Sequence, residues 1–123
     1  MAKKVLVADD ELPILTALEF LLHDHGYEVM TVQNGEEALA ALARFAPDLV
    51  VLDVMMPLLS GYEVCRRMRE HPDWRRVKII MLSAKGRDAE VSKGVSAGAD
   101  LYVTKPFSTS DLVAKIGVLL KGA

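Results

Sequence analysis

Four short apolar runs in this chain each end in a polar side chain, and the four endings match chemically. Val5-Leu6-Val7-Ala8 runs into Asp9-Asp10, and Leu49-Val50-Val51-Leu52 into Asp53. Ile79-Ile80-Met81-Leu82 runs into Ser83, and Leu101-Tyr102-Val103-Thr104 into Lys105-Pro106. Runs of this length are strands, and the near-continuous apolarity of the first, second and third implies burial on both faces of one parallel sheet. Such a sheet gathers three carboxylates, a hydroxyl and an amine at its carboxyl edge, where open α/β sheets hold ligands.

Between the runs lie longer segments of helical period, the pattern of repeated βα units. Ile14, Leu15, Leu18, Leu21 and Leu22 form one stripe, with Pro13 in the first turn and Gly26 as the stop. A weaker second strand runs from Tyr27 to Thr31. Asn34 and Glu37 resemble a capping box before Ala38, Leu39, Leu42 and Phe45, and Pro47 ends that helix. Ser60 and Glu63 repeat the signal before Val64, Cys65 and Met68; Glu70 to Lys78, with Pro72, is a connecting loop. A less apolar fourth helix runs from about Asp88 to Ala97, ended by Gly98. The last helix carries Leu112, Ile116, Leu119 and Leu120, capped by Ser108 or Thr109. The whole is five βα units in a single domain over residues 1–123, and right-handed crossovers leave few topologies for it.

The strand ends define the chemistry. Three crowded carboxylates raise each other's pKa unless a cation neutralises them, and Mg²⁺ is the natural tenant of an all-oxygen site that keeps room for a phosphate. Lys105 would neutralise oxygens of an arriving phosphoryl group, and Ser83 offers a small hydroxyl to another. Taken singly, each residue has a plainer alternative. An Asp before a helix caps it, a Ser at a strand end makes a turn, and an ammonium near carboxylates is an ion pair.

Five stretches in order carry a resemblance over essentially the whole chain: Val5 to Glu11, Asp53 to Pro57 with Gly61 following, Met81 to Ala84, Gly98 to Asp100, and Lys105 to Phe107. They resemble the receiver domains of two-component response regulators. That resemblance implies a doubly wound, flavodoxin-like (βα)5 fold with five parallel strands in the order 2-1-3-4-5, for which the chemotaxis regulator is a standard example. It implies that Asp53 is the phosphoacceptor, taking its phosphoryl group from a sensor histidine kinase or phosphotransfer protein. It makes Asp10, Asp53 and the backbone carbonyl of Met55 direct Mg²⁺ ligands, with Asp9 acting largely through water. It gives Lys105 and Ser83 to the phosphoryl group and a cis peptide to Lys105-Pro106. Ser83 and Tyr102 become a relay to an output face made of the fourth helix, strand five and the last helix. The protein would then be a switch that catalyses its own phosphorylation rather than a conventional enzyme. Its target would be a downstream protein or a fused output domain.

Departures from the common pattern are few. Ser83 stands where Thr is frequent, Leu58 and Leu59 occupy a loop that is often small or polar, and Met55 and Lys85 flank the pocket where the family tunes phosphate lifetime. Asp100 is followed by Leu101 rather than a second acid, which together with the loop containing His71, Pro72 and Trp74 leans away from a DNA-binding parent.

Composition narrows the alternatives. A net charge of -2, with basic residues scattered among acids, gives no nucleic-acid surface, and no apolar stretch reaches the length of a membrane span. The lone cysteine, Cys65, forms no internal disulfide and fits a reducing cytoplasm. The start of the chain is too short for a signal peptide. Arg66, Arg67, Arg69, Arg75 and Arg76 read as a solvated basic face. His23, His25 and His71 fit neither a metal pair nor a catalytic role. No GxxxxGK[ST] loop is present, which removes Ras-like nucleotide binding. A phosphorylation-independent binding module of the same fold is the main alternative, and an aspartyl phosphoesterase the third. The expected state without phosphate is a monomer.

Overall fold

A computed structural model describes residues 2–84 and 98–121. Five strands form one parallel sheet: β1 (Lys4–Ala8), β2 (Glu28–Val32), β3 (Leu49–Asp53), β4 (Lys78–Ala84) and β5 (Leu101–Lys105), in the order β2-β1-β3-β4-β5. Four helices are described: α1 (Leu12–Asp24), α2 (Gly35–Phe45), α3 (Gly61–Glu70) and α4 (Thr109–Lys121). The helix expected over about Asp88 to Ala97, and Lys85, lie outside the described residues. The second strand begins and ends one residue later than the sequence pattern predicts, because Glu28 pairs with Lys4 and Val32 with Ala8 in register with β1.

The alternation of strand side chains builds two cores. Leu6, Val50, Leu52, Ile79 and Met81 pack one face against Ala38, Ala41, Leu42 and Phe45 of α2 and Val64, Cys65 and Met68 of α3. Val5, Val7, Leu49, Val51, Ile80 and Leu82 pack the other against Leu15, Leu18 and Leu22 of α1 and Leu112, Val113, Ile116 and Leu120 of α4. All five residues of β3 are buried, as a central strand covered on both faces requires. Cys65 is one of these buried groups, its thiol pushed up to about 11 by burial.

Local signals set the helix ends. Asn34 Oδ1 accepts the Glu37 N–H at 2.8 Å, and Ser60 Oγ accepts the Glu63 N–H at 3.2 Å. Neither capping box closes in full. Glu37 Oε1 accepts the N–H of Gln33 instead, and the Glu63 carboxylate turns along α3 to Arg66 and Arg67. Ser108 caps α4, its Oγ accepting the Asp111 N–H at 3.3 Å. Helix α2 ends at Phe45, two residues before Pro47, and Ala46 between them takes the left-handed conformation.

Arg69 departs from the solvated face expected of the arginine cluster. Its Nε donates to Gly98 O at 2.8 Å, its Nη1 to Arg75 O and Val77 O at 2.9 and 2.6 Å, and its Nη2 to Asp100 Oδ2 at 2.8 Å. Asp100 Oδ2 also accepts the Ile79 N–H at 2.7 Å. One guanidinium thus ties the end of α3 to the loop after it and to the entries of β4 and β5. Arg66 and Arg67 stay on the exposed side of α3.

Candidate functional site

The carboxyl edge of the sheet collects the strand-end residues. Asp9 follows β1, Asp53 closes β3, Ser83 is the penultimate residue of β4, and Lys105 closes β5. Strand alternation sorts them further. Asp9, Asp53 and Lys105 continue the rows that bear Val5 and Val7, Leu49 and Val51, and Leu101 and Val103, all of the α1/α4 face. Ser83 continues the opposite row of Ile79 and Met81. Tyr102 pairs with Met81 and packs in that same core, so Ser83 and Tyr102 share a face of neighbouring strands.

Asp9 is fully buried and Asp53 is 5% exposed, an expensive placement for two neighbouring carboxylates. Carboxylate oxygens of Asp9, Asp10, Glu11 and Asp53 lie within 4.8 Å of one another. Against these four stands Lys105, its Nζ 2.6 Å from Glu11 Oε2, 3.0 Å from Asp9 Oδ2 and 3.4 Å from Asp53 Oδ2. Asp9 Oδ2 is paired with Lys105 by charge yet, among the described residues, makes no directional hydrogen bond. Asp53 Oδ1 accepts a long bond of 3.4 Å from the Met55 N–H.

Burial, then the charge of Asp9, push the Asp53 carboxyl up to about 7, while Lys105 and the Met55 N–H pull the other way. Burial works against the Lys105 ammonium, but Glu11, Asp9 and Asp53 outweigh it and hold the amine protonated well above its ordinary range. Ser83 Oγ is buried and, among the described residues, has no hydrogen-bond partner. The Lys105-Pro106 bond is cis.

Close packing fixes the loop that leaves Asp53. A Cβ on Gly61 would sit 2.3 Å from Asp53 O, so only glycine lets α3 start directly over the end of β3. The Gly61 N–H donates to Val54 O at 3.0 Å and the Val54 N–H to Leu82 O at 3.0 Å, which ties that loop to β4. Leu58 takes a positive φ of 70° and is 71% exposed, while the Met55 side chain is also exposed at the rim.

The structure therefore brings Asp9, Asp10, Asp53 and Lys105 together, with the Met55 backbone beside them and Ser83 and Tyr102 on the adjoining strands. Glu11 is the member the sequence left without a role. Its signal was a third consecutive acid at a position where a helix ordinarily takes a capping Ser, Thr, Asp or Asn.

The family model for the response regulator receiver domain matches residues 5–117. The chain belongs to that family. As a receiver domain it is 43% identical, over all of its length, to the phosphate regulon transcriptional regulatory protein PhoB of Rhizobium meliloti (strain 1021), covering 54% of that protein. It is 44% identical over 98% of its length to the alkaline phosphatase synthesis transcriptional regulatory protein PhoP of Bacillus subtilis (strain 168), covering 50% of it. Among solved structures, the receiver domain of a signal transduction histidine kinase from Syntrophus aciditrophicus superposes with a TM-score of 0.92 at 33% identity, over 99% of this chain and 92% of that one. The receiver domain spans about half the length of the two curated relatives. Both are transcriptional regulators by name. Among the described residues, no helix is long and apolar enough to cross a membrane.

Proposed function

We propose that this receiver domain is a phosphoacceptor switch in which Asp53 takes a phosphoryl group from a histidine kinase or phosphotransfer protein in a Mg²⁺-dependent reaction. The observation that carries the reading is the charge imbalance around Asp53. Among the described residues, four carboxylates gather beside one ammonium that pairs with three of them, and two of the four are buried. A site so acidic is stable and reactive only beside an added cation.

The donor set fits Mg²⁺: all its atoms are hard oxygens, and one buried oxygen, Asp9 Oδ2, is left without a hydrogen bond. Asp10, Asp53 and the Met55 carbonyl would hold the ion directly and Asp9 through water. Bound there, it supplies charge neutralisation for the carboxylates and the incoming phosphoryl oxygens. An Asp53 oxygen attacks phosphorus, the P–N bond to the donor histidine breaks as the O–P bond forms, and an acyl phosphate results. Lys105 balances negative charge on the phosphoryl oxygens, and Ser83 Oγ donates to one of them. That movement vacates space on the face Ser83 shares with Tyr102, and the inward turn of Tyr102 carries the signal to β5, α4 and the segment between β4 and β5. The target is a downstream protein or an output domain of the kind the longer relatives carry. The receiver domain itself binds no nucleic acid and turns over no external substrate.

Intact-mass measurement after incubation with acetyl phosphate tests this. A single labile phosphoryl addition that needs Mg²⁺ is expected for the native chain. A folded Asp53→Asn variant that takes up the same group would contradict it.

A further inference from the structure

We propose that Glu11 is a positioning residue for this site: it holds the shortest of the ion pairs of Lys105, and a phosphoryl group on Asp53 must compete with it for the ammonium. The inference rests on Asp53 being the phosphoacceptor. Lys105 Nζ is nearest to Glu11 Oε2, at 2.6 Å, and farthest from Asp53 Oδ2, at 3.4 Å. The ammonium is therefore shared between the buried carboxylates and the exposed Glu11, with its shortest contact to Glu11.

The backbone explains why the Glu11 side chain is available for this. Glu11 occupies the N-cap position of α1 but makes no side-chain cap bond. Its N–H is held by Asp9 Oδ1 at 2.9 Å, and its carbonyl accepts from the N–H groups of Ile14 and Leu15 at 3.1 and 3.2 Å. Pinned on both sides of its Cα, the residue projects its carboxylate across 94 positions of sequence to Lys105.

Among the described carboxylates that Lys105 touches, Glu11 is the one open to solvent. Asp9 is fully buried and Asp53 nearly so, whereas the Glu11 side chain is 56% exposed. The pair also borders an open cavity of about 410 Å³, lined by Pro13, Ile14, Phe107 and Thr109, which leaves the side chain unpacked on that side. A phosphoryl group brings up to two negative charges and three strong acceptors to Asp53, enough to draw an ammonium from a solvated partner. Glu11 thereby sets how tightly the site takes that group.

Beryllofluoride with Mg²⁺, which imitates a phosphoryl group on an aspartate, tests the competition through amide NMR shifts. The chains compared are the native protein, Glu11→Gln, which removes the charge, and Glu11→Asp, which keeps the charge but shortens the reach. Both variants are expected to bind beryllofluoride about two- to fivefold more tightly, the range for losing an exposed ion pair. Tightening in Glu11→Gln alone would mean a through-space charge effect and overturn the proposal, as would no change in either. Failure of the folded native chain to bind would count against Asp53 as phosphoacceptor, and the proposal would fall with it.

Discussion

At Asp53, burial and the neighbouring Asp9 push the carboxyl up to about 7, against the pull of Lys105. The fold therefore holds the protonated acid better than the carboxylate, while the unfolded chain releases that proton near pH 4. Between those values the native state binds the extra proton, so stability falls as pH rises through that window and levels off above it. Without divalent cations, Asp53→Asn should be more stable than the native chain at pH 8 by about 1–3 kcal/mol, with the gap closing near pH 4. Urea unfolding at the two pH values measures this, and an equal or less stable variant at pH 8 would contradict the placement of Asp53. At this scale the sequence was legible wherever a residue sits at the end of a strand, as Asp9, Asp53, Ser83 and Lys105 do. It left Glu11 without a role and read Arg69 as part of a solvated face. Their oppositely charged partners lie 94 and 31 positions away, and nothing local marks a side chain that reaches so far.

Among the elements, α3 depends most sharply on single residues. Gly61 lets it begin against Asp53 O, and Arg69 anchors its other end to Gly98 O, Val77 O and Asp100. Gly61→Ala should cost more than the helix-propensity gain of about 1 kcal/mol can offset, because its Cβ meets backbone rather than a movable side chain. It should also shift the amide resonances of Val54 and Met55. Arg69→Met should cost about 2–4 kcal/mol by leaving three carbonyls without this donor and Asp100 without its cation. Thermal unfolding of both variants measures this, and near-native stability in either would mean that α3 is held elsewhere. Helix starts were readable because Asn34, Ser60 and Ser108 each reach only three residues ahead. The ends of β2 were not, because pairing with β1 decides them and a half-exposed edge strand has a weak apolar pattern. Leu58 illustrates the same limit, since nothing in its chemistry announces a positive φ.

For the molecule as a whole, the two cores followed from buried apolar strands alternating with amphipathic helices, a pattern that few right-handed topologies satisfy, while the strand order came from the resemblance to receiver domains. The charge imbalance at the carboxyl edge has a global consequence, because an ion bound only by the folded state stabilises it by mass action. Millimolar Mg²⁺ should raise the Tm of the native chain, with little effect on Asp10→Asn; equal responses would place the cation elsewhere. The most direct test of the account is to phosphorylate the chain with acetyl phosphate and Mg²⁺, reduce it with borohydride and map the peptides. Conversion of Asp53 to homoserine, and of no other aspartate, is the predicted result. Homoserine at Asp9 or Asp10 with Asp53 intact would contradict it.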